Sequence, residues 1–324
     1  MPQAIRIHEH GGPEALRLEP VDPGPVGAKQ VRIRQTAIGV NFIDTYERSG
    51  LYQVPLPAVL GREAAGVVVE ASRGVTSFKA GDRVAYVSSA PGAYAAERIM
   101  DAARVVPLPA SISDQHAAAL MLKGLTAWFL LRRCHRLRRK ETILLHAAAG
   151  GVGLIALQWA TALGAKVIAV VGSDEKAALV RAHGAAEVII SAREDIVPRV
   201  RALTKKRGVP VVYDGVGKDT FFASLDCLAP RGLMVSYGNA SGAVPPFSPL
   251  ELTQRGSLYL TRPTLFHYTA KASELNRGAR ELFEVVASGK VKVRIGQTYP
   301  LADAAQAHRD LEARRTTGST LLIP

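Results

Sequence analysis

Residues 142–164 constrain the fold of this chain more than any other stretch. Residues 142–146 form a short apolar run of the length expected for a buried parallel strand. Three alanines and the glycines Gly150, Gly151 and Gly153 follow, and a helical pattern then runs to Gly164. A strand, a glycine turn and a helix bring backbone N–H groups and the positive end of a helix dipole against a diphosphate. The stretch therefore predicts a nucleotide-binding unit, although a tight turn without a ligand would use the same glycines.

The segment that follows alternates between strand and helix patterns, and this context favours the nucleotide-binding interpretation. The predicted elements are a strand at 166–171, a helix at 175–183, a strand at 187–190, a helix at 194–206, a strand at 209–214, a helix at 219–228 and strands at 233–237 and 257–261. Such alternation is typical of a doubly wound parallel sheet.

Length and composition bound the class of protein. A chain of 324 residues is long enough for two domains. It has no apolar run of about eighteen residues, so we expect no membrane span, and its N-terminus lacks the apolar core of a signal peptide. Cys134 and Cys227 are the only cysteines, too few for a disulfide framework or a four-cysteine zinc lobe. We therefore expect a protein of the reducing cytoplasm.

The formal net charge of +13 is high, and its densest part is residues 132–140. A polyanion site and a solvated helix end or loop both fit such a segment. No aromatic residues are interleaved there to stack on bases, which favours the solvated surface.

The first third of the chain is rich in short strands separated by glycine turns. Strands at 3–8 and 15–19 predict an opening hairpin, and a long alternating strand runs over 30–40. This pattern continues to about Pro109 and predicts a barrel-like β domain. Ser113 is expected to cap a helix that runs to Met121, and Gly124 to break it before a second helix at 125–133.

The tail returns to mixed structure. The patterns predict a helix at 274–288, a strand at 291–295, a helix at 301–312 and a closing strand at 319–323. We expect the tail to rejoin the first domain, so that the nucleotide unit is an insertion. The predicted domains are residues 1–124, residues 125–263 and a returning segment at 264–324.

Several motifs along the whole chain together resemble the medium-chain dehydrogenase/reductase superfamily. Within it they are most similar to the zinc-free, zeta-crystallin-like NADPH:quinone oxidoreductases. The segments that carry the resemblance are 41–46, 48–52, 61–66, 81–84, 122–126, 146–153, 232–235, 261–263 and 314–324. The resemblance implies an α/β protein with a β-rich, GroES-like catalytic domain. It also implies a Rossmann domain, doubly wound around a parallel sheet, inserted before the C-terminal return.

The resemblance bears directly on zinc. Alcohol dehydrogenase relatives hold catalytic zinc with a cysteine and a histidine at the positions occupied here by Asn41 and Arg62. An amide is a weak ligand and a guanidinium stays protonated, so we expect no metal. Without a Lewis acid to polarise an alkoxide, the site suits hydride delivery to an electron-poor acceptor such as a quinone or an enone.

The resemblance also implies which residues surround the reacting groups. Asn41 and Tyr46 would lie beside the nicotinamide, and Tyr52 and Arg262 would edge the acceptor pocket. The tyrosines would donate hydrogen bonds to a carbonyl oxygen that gains negative charge, and Arg262 would offset that charge. A core ring and a structural ion pair are the alternative interpretations of these residue types.

The end of the second predicted sheet strand favours NADPH over NADH. A carboxylate there would bind a ribose diol and repel a 2′-phosphate. The chain instead has Gly172 and Ser173, with Lys176 one helical step on, and the resemblance implies that the serine and lysine receive the phosphate. Asp174 argues against this, and Ala192 stands where the family often has a ring near the adenosine.

The remaining cofactor positions follow from the resemblance. Tyr237, Gly238, Asn239 and Phe266 are expected to line the nicotinamide half. Arg314 is expected to reach the cofactor from the tail. The other predicted cofactor contacts are Asn41, Tyr46, Thr126, Ala149, Gly150, Gly151, Val152 and Val216.

Three functions remain open at this point. The first is NADPH-dependent reduction of a quinone or another electron-poor carbonyl compound. The second is reduction of an enoyl or alkenal substrate, with Tyr52 as the proton donor. The third is a non-enzymatic, RNA-binding role, as in zeta-crystallin relatives, which the charge of +13 keeps open. The resemblance also implies a homodimer that pairs through a sheet edge, at 233–237 or 257–260.

Overall fold

The computed structural model describes all residues, Met1–Pro324. The strands are β1 (Gln3–Ile7), β2 (Arg17–Pro20), β3 (Gln30–Val40), β4 (Ala58–Val59), β5 (Glu63–Ala71), β6 (Arg83–Val87), β7 (Glu97–Asp101), β8 (Val105–Pro107), β9 (Thr142–Leu145), β10 (Lys166–Val171), β11 (Glu187–Ile190), β12 (Val209–Asp214), β13 (Leu228–Ser236), β14 (Tyr259–Thr261), β15 (Ile295–Pro300) and β16 (Ser319–Ile323). The α-helices are α1 (Phe42–Ser49), α2 (Asp114–Ala118), α3 (Met121–Phe129), α4 (Gly151–Ala162), α5 (Asp174–Ala182), α6 (Ile196–Leu203), α7 (Phe221–Asp226), α8 (Leu250–Gln254), α9 (Leu265–Tyr268), α10 (Ala272–Ala287) and α11 (Ala304–Glu312). None of the helices is long and apolar enough to cross a membrane.

The chain forms two compact units. The first comprises Met1–Leu125, Thr269–Ala287 and Val293–Pro324, and the second comprises Thr126–Tyr268 and Ser288–Lys292. The second unit thus extends past the predicted boundary at 263 and includes a short piece of the predicted returning segment.

The first unit is built mainly on antiparallel strands, and β15 and β16 pair in parallel. A three-stranded sheet has the order β2-β1-β4, and a seven-stranded sheet has the order β15-β16-β3-β5-β6-β8, with β7 also paired to β3. The long β3 alternates side chains between the two faces of the sheet, and Val31 and Ile33 on one face are fully buried. Together with Val68, Tyr86 and Leu322 they belong to one apolar core.

The second unit is a six-stranded parallel sheet with the order β11-β10-β9-β12-β13-β14. The chain order reverses between β9 and β12, which are neighbours, and this is the point where open α/β sheets bind ligands at the carboxyl ends of their strands. Strand β14 is one edge of the sheet, whereas β13 lies between β12 and β14. The predicted pairing edge at 233–237 is therefore wrong.

Two predicted element boundaries are also wrong, for reasons of packing. Gly124 lies inside α3, where a Cβ would overlap the side chain of Leu282, so the glycine permits close approach and does not end a helix. Residues 291–294 are not a strand. The side chain of Gln158 instead bonds the backbone of Lys292 through both its oxygen, at 2.9 Å, and its nitrogen, at 3.1 Å.

Candidate active site

The turn after β9 is shaped to expose backbone N–H groups. Ala147 has a left-handed φ of 49°, and its carbonyl accepts a 3.0 Å bond from the N–H of Gly150. The first bond of α4 runs from Leu154 N to Gly150 O, at 2.8 Å. The N–H groups of residues 151–153 therefore have no acceptor within the helix. A Cβ on Gly153 would overlap the carbonyl oxygen of Ala147, so the close seat of α4 requires glycine there.

The loop after β12 is held by a buried carboxylate that the sequence analysis did not single out. Asp214 is fully buried. Its Oδ1 accepts bonds from the backbone N–H groups of Val216, at 2.7 Å, and Gly217, at 3.2 Å. Its Oδ2 accepts from the hydroxyl of Thr220, at 2.7 Å. These bonds define the position of Val216, which is a predicted cofactor contact.

The same carboxylate is connected to the turn after β9. Ser224 Oγ donates to Asp214 Oδ2 at 2.8 Å and lies 3.0 Å from His146 Nε2. Because the serine proton points to the carboxylate, His146 must donate its Nε2–H to the serine oxygen. Burial lowers the pKa of His146, against the opposing effect of Asp214, so the ring is neutral. The loops that follow β9 and β12 are thus joined by one buried network at the reversal point of the sheet.

The residues after β13 lie against this second loop. Tyr237 N donates to Asp214 O at 2.8 Å, and Ala240 N donates to Gly215 O at 3.2 Å. A Cβ on Gly238 would overlap the carbonyl oxygen of Gly215. The structure therefore brings together the predicted contacts Val216, Tyr237, Gly238 and Asn239.

The ends of β10 and β11 form the other half of the predicted dinucleotide site. Ser173 is the N-cap of α5, and its Oγ accepts from Lys176 N at 3.3 Å. A Cβ on Gly172 would meet nothing within 4 Å, so open space lies beside this turn. Ser191 N bonds Val171 O at 2.9 Å, which places Ala192 next to the same turn.

An ion pair that the sequence analysis missed occupies this end of the sheet. Arg193 Nη2 contacts Asp174 Oδ2, with both side chains exposed to solvent. The position of Arg193 could have indicated this pair, because Arg193 follows β11 and Asp174 follows β10, and these strands are neighbours in the sheet.

Three other predicted residues of the second unit lie outside these loops. Thr126 is buried in α3. Arg262 is exposed and directly follows β14, and Phe266 lies in α9. Arg314 belongs to the first unit and follows α11 with a positive φ of 59°.

In the first unit, helix α1 brings three predicted residues together. Asn41 is its N-cap, and the backbone N–H of Asn41 donates to Asp44 Oδ2 at 2.9 Å. The rings of Tyr46 and Tyr52 meet edge to face with centroids 5.3 Å apart. Tyr52 N donates to Tyr46 O at 3.0 Å, so the chain after α1 folds back on the helix.

A buried salt bridge fixes the Asn41 amide. Glu63 has no exposed surface, and its Oε1 accepts from Lys123 Nζ at 2.8 Å and from Asn41 Nδ2 at 2.9 Å. Its Oε2 accepts from the backbone N–H of Leu122. Both ions belonged to motifs that carried the resemblance, but neither was assigned a role from the sequence.

The donor chemistry at the two zinc-ligand positions does not fit the metal. The Asn41 nitrogen donates a bond to a carboxylate. Arg62 Nε donates to Glu47 Oε1 at 2.6 Å, and Arg62 Nη1 donates to the backbone oxygens of Ser88 and Ser89. An arginine engaged in this way presents no lone pair to a cation. Burial raises the pKa of Glu47, and Arg62 opposes that effect.

A chain of buried polar groups supports α1 from the C-terminal helix. Tyr94 OH donates to Asp44 Oδ2 at 2.8 Å and lies 3.0 Å from His308 Nε2. His308 Nδ1 lies 3.1 Å from Arg48 Nη1, and Arg48 pairs with Glu312 at 2.7 Å. Arginine can only donate, so His308 accepts at Nδ1, donates through Nε2, and directs the Tyr94 proton toward Asp44.

Burial shifts the pKa values of Asp44 and His308 in this buried polar network. Burial, followed by the nearby charge of Glu47, raises the pKa of Asp44 to about 7. Burial, followed by Arg48, lowers the pKa of His308 to about 3. The histidine is therefore neutral at physiological pH, which agrees with the directions of its hydrogen bonds.

Comparisons with known proteins agree with this architecture. Residues 27–110 match the alcohol dehydrogenase GroES-like domain, and residues 151–279 match the zinc-binding dehydrogenase family. A quinone oxidoreductase of Pseudomonas aeruginosa is 52% identical, with all of both chains aligned. A 2-haloacrylate reductase of a Burkholderia species is 45% identical over all of this chain and 99% of its own. The crystal structure of an Escherichia coli quinone oxidoreductase complexed with NADPH is 50% identical, with a TM-score of 0.98 over 99% of this chain and all of its own.

Proposed function

The chain belongs to the quinone oxidoreductase family of the medium-chain dehydrogenase/reductase superfamily, and we propose that it is an NADPH-dependent quinone reductase. The observation that carries the proposal is the chemistry of the positions where alcohol dehydrogenases bind zinc. Both side chains donate to carboxylates there: Asn41 retains only an amide oxygen, which is a weak zinc ligand, and the Arg62 guanidinium has no lone pair to offer a metal. A site without a Lewis acid suits an acceptor that is already electron-poor, such as a quinone.

The second unit supports the cofactor part of the proposal. The N-terminus of α4 would present backbone N–H groups to a diphosphate, and Ser173 and Lys176 would receive the 2′-phosphate. Val216 and the residues 237–239 would contact the nicotinamide half. The crystal structure of the relative in complex with NADPH favours this cofactor here.

The geometry of the first unit supports roles for its predicted site residues. NADPH, when bound, supplies the hydride. Asn41, oriented by Glu63, would position the nicotinamide, and the Tyr46 and Tyr52 hydroxyls would donate hydrogen bonds to the acceptor oxygen as it becomes negative. Arg262 would offset the same charge.

Initial rates of NADPH and NADH oxidation with 1,4-benzoquinone test the proposal. We expect turnover with NADPH to exceed that with NADH. Replacing Tyr52 with Phe should lower kcat/KM by about 10²-fold, the size expected for loss of one oxyanion donor. Tyr299→Phe is the matched control, since that hydroxyl bonds Asp310 outside the proposed site. Absence of quinone turnover despite tight NADPH binding would contradict the function.

Reduction of a 2-enone is the second candidate function, and the 45% identity to a 2-haloacrylate reductase favours it. Tyr52 would then protonate the carbon next to the carbonyl group. The same assay with a short 2-enone separates the two functions. Faster turnover of the enone than of benzoquinone, with a larger effect of Tyr52→Phe on the enone, would favour this candidate.

We further propose that the protein is a cytoplasmic homodimer. Two free cysteines fit a reducing compartment. The β14 edge, where Tyr259 is exposed, offers backbone groups for pairing with a second copy. Light scattering of the wild type and of Tyr259→Lys tests the dimer.

We interpret the basic segment 132–140 as a solvated surface, and salt-dependent RNA binding would contradict that interpretation.

A further inference from the structure

We propose that Arg193 and Asp174 together determine the preference for NADPH, with Arg193 leaving Asp174 to bind the 2′-phosphate. The inference deepens the proposed function and rests on the dinucleotide site described there. It starts from one exposed ion pair, between Arg193 Nη2 and Asp174 Oδ2, at the carboxyl ends of β10 and β11.

The negative charges near Ser173 give an additional cation a role in binding a phosphate there. The first turn of α5 carries two carboxylates, Asp174 and Glu175, directly after Ser173. A 2′-phosphate bound by Ser173 and Lys176 would lie at the turn that carries these residues, and a carboxylate at the end of this strand favours a ribose diol. Arg193 pairs with the nearer carboxylate in this structure, and on moving to the phosphate it would place a second positive charge beside Lys176.

The backbone that carries Arg193 is fixed while its side chain is exposed. Arg193 N donates to Ile190 O at 2.8 Å, and Ser191 N donates to Val171 O at 2.9 Å. The Arg193 side chain is 65% exposed and that of Asp174 is 61% exposed. Ion pairs this exposed contribute little to stability, so the guanidinium can change partners at small cost.

A guanidinium is also the side chain best suited to a phosphate. Its planar fork forms two parallel charge-assisted hydrogen bonds with phosphate oxygens, whereas Lys176 offers a point charge. Gly172 leaves open space beside the same turn, because a Cβ there would meet nothing within 4 Å. Arg193 thus provides a second cation at the adenosine end, next to Ala192.

Binding measurements test the inference without relying on turnover. Adenosine 2′-phosphate and adenosine 5′-phosphate are titrated calorimetrically, and NADPH and NADH by fluorescence. Arg193→Ala should weaken binding of adenosine 2′-phosphate and NADPH by about tenfold, with binding of the other two ligands within about twofold. Arg193→Lys should lose less. Arg277→Ala, which removes another exposed, ion-paired arginine, is the matched control and should change none of the four.

A double-mutant cycle with Asp174→Asn identifies the role of the carboxylate. Asp174→Asn alone should strengthen NADPH binding, and in the Arg193→Ala background it should recover part of the lost affinity. An equal loss for NADPH and NADH, or unchanged binding of adenosine 2′-phosphate, would overturn the inference. If the wild type prefers NADPH and Arg193→Ala keeps the full preference, this inference alone is overturned. Equal wild-type affinities for NADPH and NADH would overturn both this inference and the cofactor of the proposed function.

Discussion

The two halves of the predicted site handle charge in opposite ways. Around α1 the carboxylates of Asp44, Glu47 and Glu63 have no exposed surface, and each lies in a network of buried partners. At the predicted adenosine end of the second unit, Asp174 and Arg193 pair in solvent. Buried ions are expensive to leave unpaired, whereas exposed pairs are worth little. The first region is therefore built for fixed geometry, and the second can change its partners for a ligand.

The largest loss of stability in the buried region is expected when one ion of a salt bridge is removed. Lys123→Met leaves Glu63 buried without its countercharge, and we expect the free energy of unfolding to fall by about 3–5 kcal/mol. Urea denaturation measures this. Glu63→Gln combined with Lys123→Met should recover much of the loss, and Lys290→Met, at an exposed lysine, should change stability by less than about 0.5 kcal/mol. A small effect of Lys123→Met would mean that water reaches Glu63.

The pH dependence of stability sharpens the same point. The folded pKa of Asp44 is about 7, above its usual 3.8, so its contribution to stability is present below pH 3.8 and is lost as pH rises through 7. The folded pKa of His308 is about 3, below its usual 6.5, so its contribution is present above pH 6.5 and is lost as pH falls through 3. Between about pH 4 and 6.5, Asp44 makes the free energy of unfolding fall as pH rises, and His308 makes it rise. The two effects therefore oppose each other in the wild type.

Single variants should uncover each slope. Asp44→Asn leaves the His308 contribution, so its stability relative to the wild type should rise with pH by up to about 1.4 kcal/mol per unit in this window. His308→Gln should give a slope of the opposite sign. Urea denaturation at several pH values measures both. A difference that does not vary with pH would contradict the burial of these groups.

Variants of two glycines in the second unit distinguish a role in packing from a role in ligand binding. Gly153→Ala forces α4 away from Ala147, and we expect it to lower the free energy of unfolding by about 1–3 kcal/mol. Gly172→Ala meets nothing in the folded chain and should be neutral or stabilising by at most about 1 kcal/mol. If Gly172 faces the cofactor, this second variant should nevertheless weaken NADPH binding. Unchanged binding would remove Gly172 from the site.

The smallest effect on stability is expected where the charges are exposed. Arg193→Ala should change the free energy of unfolding by less than about 1 kcal/mol, although we expect it to weaken NADPH binding. Thermal and urea denaturation without ligand measure the first quantity. A large destabilisation would mean that the pair holds the loop after β11 in place, and the contrast between the two regions would fail.

Local patterns predicted several strands of both units well. Strands over 30–40, 166–171 and 209–214 have the predicted limits, because strand periodicity and flanking turn residues are local properties. The glycine turn and α4 were readable for the same reason. Gly124 misled the prediction, since only the packing of Leu282 against it shows why a glycine is needed inside a helix.

The site was partly readable. Asn41, Tyr46 and Tyr52 follow from motifs within one stretch of chain, and the structure brings them together around α1. Residues that support them come from far along the chain. Tyr94 and His308 are 214 positions apart, and Lys123 lies 60 positions from Glu63. Nothing in the local pattern pairs such residues.

The sequence by itself determined the order of strands and helices, the glycine turn and the family to which the chain belongs, because each is written in short-range spacing and in contiguous motifs. Only the tertiary structure decided which charges are buried and which ions face each other. Burial and ion pairing depend on the exclusion of water by distant segments, and that exclusion exists only once the chain has folded.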